Sequence, residues 1–133
     1  MNLNKFYSLL LCSLFFFSYS NTMAYEEANY QIIKKNDINE IRKYSNRLAV
    51  ETIENNQNSG FRKLFNYISG NNQTNEKIKM TTPVIRVEKN GNMTMQFYLP
   101  SRFNEKNIPD PLDDNVSIIN IEANYYAAII YSG

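Results

Sequence analysis

The side chains that most often carry enzyme chemistry are scarce in this chain. Its 133 residues include no His and a single Cys, which is Cys12. The absence of His excludes a Ser-His-Asp triad, an imidazole general base and an imidazole metal ligand. A single Cys cannot form an internal disulfide or a Cys-x-x-Cys metal site. The composition therefore favours a binding protein over an enzyme.

The carboxylates are the remaining candidates for acid–base chemistry. Glu40, Glu51, Glu54 and Glu122 are scattered over separate predicted strands and loops. Paired-carboxylate catalysis requires two carboxyl groups on either side of one scissile bond, and no spacing in the sequence pairs these four. We therefore predict no catalytic residues.

The N-terminal residues have the order of a secretory signal peptide. Lys5 precedes the apolar run Phe6–Phe17, and residues 18–24 then become polar and small, ending at Ala24. The apolar run is shorter than the roughly 20 residues that span a bilayer. We predict that residues 1–24 are cleaved and that residues 25–133 are exported to a periplasm or secreted. A retained membrane anchor is the alternative.

The charge of the predicted mature chain is balanced. The whole chain has 14 Lys+Arg and 13 Asp+Glu, and cleavage after Ala24 removes one basic residue, Lys5. A domain without net charge has no long-range field that attracts nucleic acid or an anionic membrane, so we predict neither as a partner.

The pattern of apolar residues predicts an α+β domain. Asn36-Asp37 and Asn90-Gly91 are typical turn pairs, and Pro83 interrupts one of the β-rich runs. We predict about seven short strands in a distorted antiparallel barrel or sheet, with one main helix after the third strand. The predicted strands are 30–35, 38–44, 48–53, 78–88, 93–99, 116–121 and 125–131, with the last two forming a pair.

The predicted helix covers residues 60–69. Phe61, Leu64, Phe65 and Ile68 follow the spacing i, i+3, i+4 and i+7, which places them on one face. Gly70 is suited to ending the helix. From the pattern alone, this apolar face packs on the sheet.

Several ordered segments resemble the SOUL haem-binding protein family. The most specific are Tyr-Ile-Ser-Gly-Asn-Asn at 67–72 and Lys-Ile-Lys-Met-Thr-Thr-Pro-Val at 77–84. Further matching segments lie at 30–35, 40–44, 49–52, 99–100 and 127–133, so that the resemblance covers nearly all of residues 25–133.

This resemblance implies a fold and a ligand. The family fold has two similar halves, each a helix with antiparallel strands, and its members bind haem or other tetrapyrroles non-covalently beside the first helix. Basic side chains lie near the propionates in this family. The corresponding ligand-binding candidates here are Phe61, Arg62, Lys63, Leu64, Phe65, Ile68 and Met80. We expect apolar binding without an axial His, for carriage or buffering; Met80 and Tyr67 are alternative iron ligands.

The C-terminus departs from the family pattern. Family members continue past the Ser-Gly at 132–133 with a second helix and closing strands, so the resemblance implies a domain that is short at its C-terminus. An uncovered apolar strand at 125–131 favours self-association. The alternative function is a degenerate or fragmentary domain without ligand, acting as an interaction module or without function. An enzyme acting on a porphyrin is disfavoured by the lack of His and Cys.

Overall fold

The computed structural model describes residues 25–54 and 59–130, so the predicted signal peptide lies outside the described residues. The described part contains one helix and nine strands. The helix is α1 (Ser59–Ile68). The strands are β1 (Glu26–Glu27), β2 (Tyr30–Asn36), β3 (Asn39–Tyr44), β4 (Arg47–Ile53), β5 (Thr81–Thr82), β6 (Val84–Lys89), β7 (Asn92–Tyr98), β8 (Ser117–Ile121) and β9 (Asn124–Ile129).

The strands form two antiparallel sheets and one short parallel pair. The first sheet has the order β2-β3-β9, the second has the order β6-β7-β4-β8, and β1 pairs with β5. The predicted α+β class with a distorted antiparallel sheet is confirmed, and the described residues do not close into a barrel. The strand number exceeds the prediction because Pro83 separates β5 from β6 and because the short β1 has no periodic signal in the sequence.

The prediction that the last two strands pair with each other is wrong. β8 pairs with β4, whereas β9 pairs with β3. The β3–β4 segment and the β8–β9 segment run antiparallel over their whole length, and both bend from one sheet into the other at the same level. At this bend, the Ala123 N–H donates to Asn46 Oδ1 over 2.7 Å. Residues 122–123 resemble a hairpin turn locally, but the long-range partners of both strands decide their pairing.

Two tight turns follow the sequence prediction. Asn90 (φ 53°) and Gly91 (φ 78°) connect β6 to β7, whose last paired residues are Lys89 and Asn92. Two successive positive φ angles are the geometry that matches the twist of a hairpin. Asp37 (φ 47°) has the same left-handed conformation in the turn between β2 and β3.

The helix packs across the second sheet, against β4 and β7. Leu64, Tyr67 and Ile68 are buried in the core with Val50 and Phe97. Gly70 has a φ of 115° and follows the last helical turn, as predicted for its stop. Among the described residues, no helix has the length and apolarity needed to cross a membrane.

Candidate functional site

The apolar face of α1 is divided between the core and the surface. Leu64 and Ile68 are 0% and 5% exposed, whereas Phe61 and Phe65 are 40% and 46% exposed. The rings of Phe61 and Phe65 stack with centroids 5.9 Å apart and planes 13° apart. We call these two residues the phenylalanine pair. The sheet therefore buries only part of the stripe and leaves two parallel aromatic rings at the surface.

Phe61 is held in place by the sheet beneath it. Its ring meets the buried ring of Phe97 edge-to-face, with centroids 5.3 Å apart. Such contacts orient rings as well as burying them. The phenylalanine pair is thus an aromatic surface with a fixed orientation.

An open depression adjoins the phenylalanine pair at the end of the helix. It has a volume of about 440 Å³. We call it the helix-end depression, and it is lined by Tyr25, Phe65, Ile68, Ser69, Lys77, Ile78 and Met80. Three of the predicted ligand-binding residues, Phe65, Ile68 and Met80, therefore lie around one concave surface.

The segment after the helix is held beside it by a buried asparagine. Asn72 is 0% exposed; its Nδ2 donates to the carbonyl oxygens of Tyr67 (3.0 Å) and Glu76 (2.8 Å). Its Oδ1 accepts from the Glu76 N–H over 3.0 Å. The Ile78 N–H then donates to the Ile68 carbonyl oxygen over 2.8 Å. Asn72 thereby positions one wall of the helix-end depression, a role that the sequence analysis missed although the residue lies in the quoted 67–72 motif.

The predicted basic residues lie apart from this depression. Arg62 is exposed on the helix. Lys63 lines a different cavity of about 310 Å³, together with Glu51, Asp114 and Ser117. Within the described ranges, Lys77 is the cation that lines the helix-end depression. Sequence reasoning missed Lys77, although it is the first residue of the quoted 77–84 motif.

Leu64 also occupies a different place from the other candidates. It has no exposed surface and packs within the core. Its side chain supports the helix from below, so a ligand on the surface would contact the phenylalanine pair rather than Leu64.

The two alternative iron ligands have opposite surroundings. Tyr67 is 1% exposed, and its hydroxyl donates to the Pro109 carbonyl oxygen over 2.8 Å. Burial raises the pKa of Tyr67 well above its usual value, and the nearby charges of Asp110 and Glu76 add to this effect. A buried, protonated phenol is unsuited to ligating iron as a phenolate. Met80, by contrast, lines the helix-end depression.

Three of the four scattered carboxylates, Glu40, Glu51 and Glu54, pair with basic side chains on the sheets. Glu40 pairs with Lys35 (2.9 Å) and Arg42 (2.8 Å), and Glu54 pairs with Arg86 (2.7 Å). Within the described ranges, no group of three or more His, Cys, Asp or Glu residues is arranged to hold a metal ion. The helix-end depression therefore combines apolar side chains with the Met80 thioether, the hydroxyls of Tyr25 and Ser69 and the ammonium of Lys77. Such a lining fits a flat apolar ligand with acidic substituents.

Comparison with known proteins identifies the family of the chain. Residues 25–133 match the family described as SOUL heme-binding protein. A search of curated proteins found no match. The chain is thus an α+β protein with an apolar surface beside its helix. It belongs to the SOUL haem-binding protein family.

Proposed function

We propose that this protein binds haem or a related tetrapyrrole non-covalently and reversibly on the phenylalanine pair and the helix-end depression. The observation that carries the proposal is the exposure of two stacked phenylalanine rings next to a concave apolar surface. Its role would be carriage or buffering of the ligand rather than chemistry on it.

The driving force for such binding is the burial of apolar surface. Complete burial of a Phe side chain is worth about 1.5–3 kcal/mol, so covering two half-exposed rings contributes on the order of 2 kcal/mol from the protein side. The flat face of the ligand contributes in the same way at about 25 cal/mol per Å². Binding of this kind needs no axial His, in agreement with a chain that has none.

A titration of the full chain with haemin tests the proposal. We expect a saturable, red-shifted Soret band that reaches its end point near one equivalent. Phe65→Gln should weaken binding at least about fivefold, because it removes half-exposed aromatic surface. The matched control is Leu112→Gln, since Leu112 is similarly exposed (56%) but does not line the helix-end depression.

Three results would oppose this function. An unchanged haemin spectrum would favour a ligand-free interaction module instead. Equal affinity of Phe65→Gln and the unmodified chain would place the ligand elsewhere, provided that both have the same far-ultraviolet circular dichroism. Steady loss of the Soret band with a reductant present would indicate an enzyme acting on the porphyrin.

Export is a further part of the proposal. The order of charge, apolar residues and small residues in 1–24 supports removal of this segment during secretion. Mass spectrometry of the exported protein should find Tyr25 at its N-terminus, whereas a membrane-bound product that retains Lys5 would indicate an anchor.

Self-association is proposed through the first sheet. β9 pairs with β3 along one edge, and no strand among the described residues pairs with its other edge. Tyr125 and Ile129 on this strand are 58% and 66% exposed. An apolar edge strand of this kind readily pairs with another chain, and a second copy is the partner we propose.

A further inference from the structure

A second cavity lies away from the helix, where the two sheets bend into each other. It has a volume of about 460 Å³. Its walls come from both sheets, and most of them are apolar or aromatic. We call it the inter-sheet cleft, and its lining includes Tyr44, Arg47, Ile85, Tyr98, Tyr126 and Ala128.

Arg47 is the distinctive residue of the inter-sheet cleft. It is the first residue of β4, directly after the bend between the sheets. Its guanidinium lies 4.6 Å from the ring centroid of Tyr44, 4.5 Å from that of Tyr98 and 5.7 Å from that of Tyr126. Three aromatic rings therefore surround one positive charge, an arrangement that holds the charge in a fixed position.

Not every nitrogen of the Arg47 guanidinium has a hydrogen-bond acceptor. Nη1 donates to the Ser45 carbonyl oxygen (3.1 Å) and Nη2 to the Tyr98 hydroxyl (3.0 Å). Its Nε is buried without a hydrogen-bond partner among the described residues. A buried N–H without an acceptor costs free energy, and a ligand oxygen that reached this atom would remove that cost.

Arg47 also has no carboxylate partner within the described part of the chain. Arg42, Arg86 and Arg102 each pair with a glutamate at 2.7–2.8 Å. Arg42 also lines the inter-sheet cleft, but Glu40 already offsets its charge. The cleft thus contains one cation whose charge is not balanced by a neighbouring carboxylate.

A smaller cavity that Arg47 also lines is a poor place for an anion. It has a volume of about 180 Å³, and its lining includes Glu26 and Glu27. Among the residues that the structure describes, no acidic residue lines the inter-sheet cleft. Electrostatic repulsion therefore directs an anion bound to Arg47 into the larger, apolar cleft.

We propose that the inter-sheet cleft binds an amphipathic carboxylic acid, with its carboxylate on Arg47 and its apolar body against Ile85 and Ala128. A carboxylate accepts hydrogen bonds from a guanidinium in pairs, and the unpartnered Nε supplies one of the two donors. This site is separate from the tetrapyrrole surface at the helix, and it takes a different class of ligand.

A fluorescent fatty acid tests the site. The probe is dansylated aminoundecanoic acid, titrated into the full chain, with its methyl ester as the uncharged control. We expect saturable enhancement of dansyl emission for the acid and at least about tenfold weaker binding for the ester, because the ester cannot form the charge-assisted pair. Arg47→Gln should weaken binding of the acid to a similar extent and leave binding of the ester unchanged.

Three other variants distinguish the site from the fold and from the tetrapyrrole surface. Arg102→Gln is the matched control, because Arg102 also stacks on an aromatic ring (Phe103, 4.0 Å) but does not line the inter-sheet cleft. Ala128→Phe fills the cleft and leaves Arg47 in place, so it should abolish probe binding even if Arg47→Gln proves unstable. Phe65→Gln should leave probe binding unchanged while weakening haemin binding.

Three results would overturn the inference. They are equal affinity for acid and ester, unchanged affinity of a folded Arg47→Gln variant, and loss of probe binding in Phe65→Gln. The last result would place the probe on the helix surface. Since haemin and the probe are measured separately, failure of one proposal is distinguishable from failure of the other.

Discussion

At the scale of single residues, two lysines near α1, Lys63 and Lys77, are candidates for pairing with an acidic ligand, and they lie in different cavities. Lys77 lines the helix-end depression, whereas Lys63 lies in another cavity beside Glu51 and Asp114. A basic side chain can offset a propionate only when the two charges are close, since exposed charges beyond about 10 Å are largely screened. The resemblance to the family implied Arg62 and Lys63 as the basic candidates, whereas our placement of the ligand in the helix-end depression favours Lys77.

The two lysines therefore give a paired prediction. Lys77→Ala should weaken haemin binding about twofold to fivefold, the range expected for a partly exposed ion pair. Lys63→Ala should leave haemin binding unchanged and is the matched control. Soret titrations at low and high salt measure both. The reverse result, with Lys63→Ala weaker and Lys77→Ala unchanged, would contradict our placement of the ligand's acidic groups.

Glu40 provides a residue-scale prediction on pH and stability. Its hydrogen bonds from Lys35 and then from Arg42 lower the pKa of this buried carboxyl below its ordinary value of 4.5. The unfolded chain therefore takes up the proton first as the pH falls. The ion pairs therefore contribute their full stabilisation when the pH is above the ordinary pKa of 4.5. This stabilisation is lost as the pH decreases through the lower pKa of the folded state.

Replacement of this carboxyl should remove that dependence. Glu40→Gln should melt at a lower temperature than the unmodified chain at neutral pH, and the difference should narrow below about pH 4. Glu105→Gln, at an exposed loop position, is the control. Melting curves followed by circular dichroism at several pH values measure the effect; a constant difference across the whole pH range would contradict the assigned role of the Glu40 carboxylate.

At the scale of elements, the apolar face of α1 has two parts: one part packs in the core and the other lies at the surface. Leu64 and Phe65 are adjacent in sequence, yet Leu64 is fully buried and Phe65 is 46% exposed. Stability and ligand binding should therefore depend on different residues of the same helix.

This division predicts opposite outcomes for neighbouring substitutions. Leu64→Ala should lower the free energy of unfolding by about 2–5 kcal/mol, because it leaves a cavity in the core. Phe65→Gln should lower it by about 1 kcal/mol or less, since part of the ring is already in water. Urea denaturation measures both values. Equal losses for the two variants would mean that the sheet holds Phe65 as firmly as it holds Leu64.

At the scale of the whole molecule, the free edge of β9 should control association. Ile129→Lys places a charge on that edge, and charged side chains on edge strands oppose pairing with another chain. We expect the unmodified chain to show a mass that increases with concentration in light scattering, and Ile129→Lys to remain a monomer. Ile53→Lys, at a comparably exposed site (49%) outside the first sheet, is the control. A monomeric unmodified chain at high concentration would contradict the proposed pairing.

The two proposed binding sites lie in different parts of the fold. The phenylalanine pair and helix-end depression lie along α1, whereas the inter-sheet cleft lies where β3–β4 and β8–β9 bend between sheets. The first is formed largely by residues close in sequence. The second combines residues from Arg42 to Ala128, so no local motif indicates it.

Local patterns in the sequence were sufficient for the helix, the Asn90-Gly91 hairpin and the end of the helix at Gly70. The reason is that spacing, turn type and positive φ depend on neighbouring residues. The resemblance to the family implied Phe65, Ile68 and Met80 as candidates, and the fold places these three around one depression. The ordered motifs also sufficed for the family.

Only the tertiary structure decided how each strand pairs, whether each candidate side chain is exposed and which residues it contacts. The separate pairing of β8 and β9, the burial of Leu64, the separation of Lys63 from Lys77 and the aromatic surroundings of Arg47 all depend on contacts between residues far apart in the chain. Periodicity assigns a residue to a face of a helix or strand. The packing of several elements determines whether that face is covered, and no single segment of the sequence contains that information.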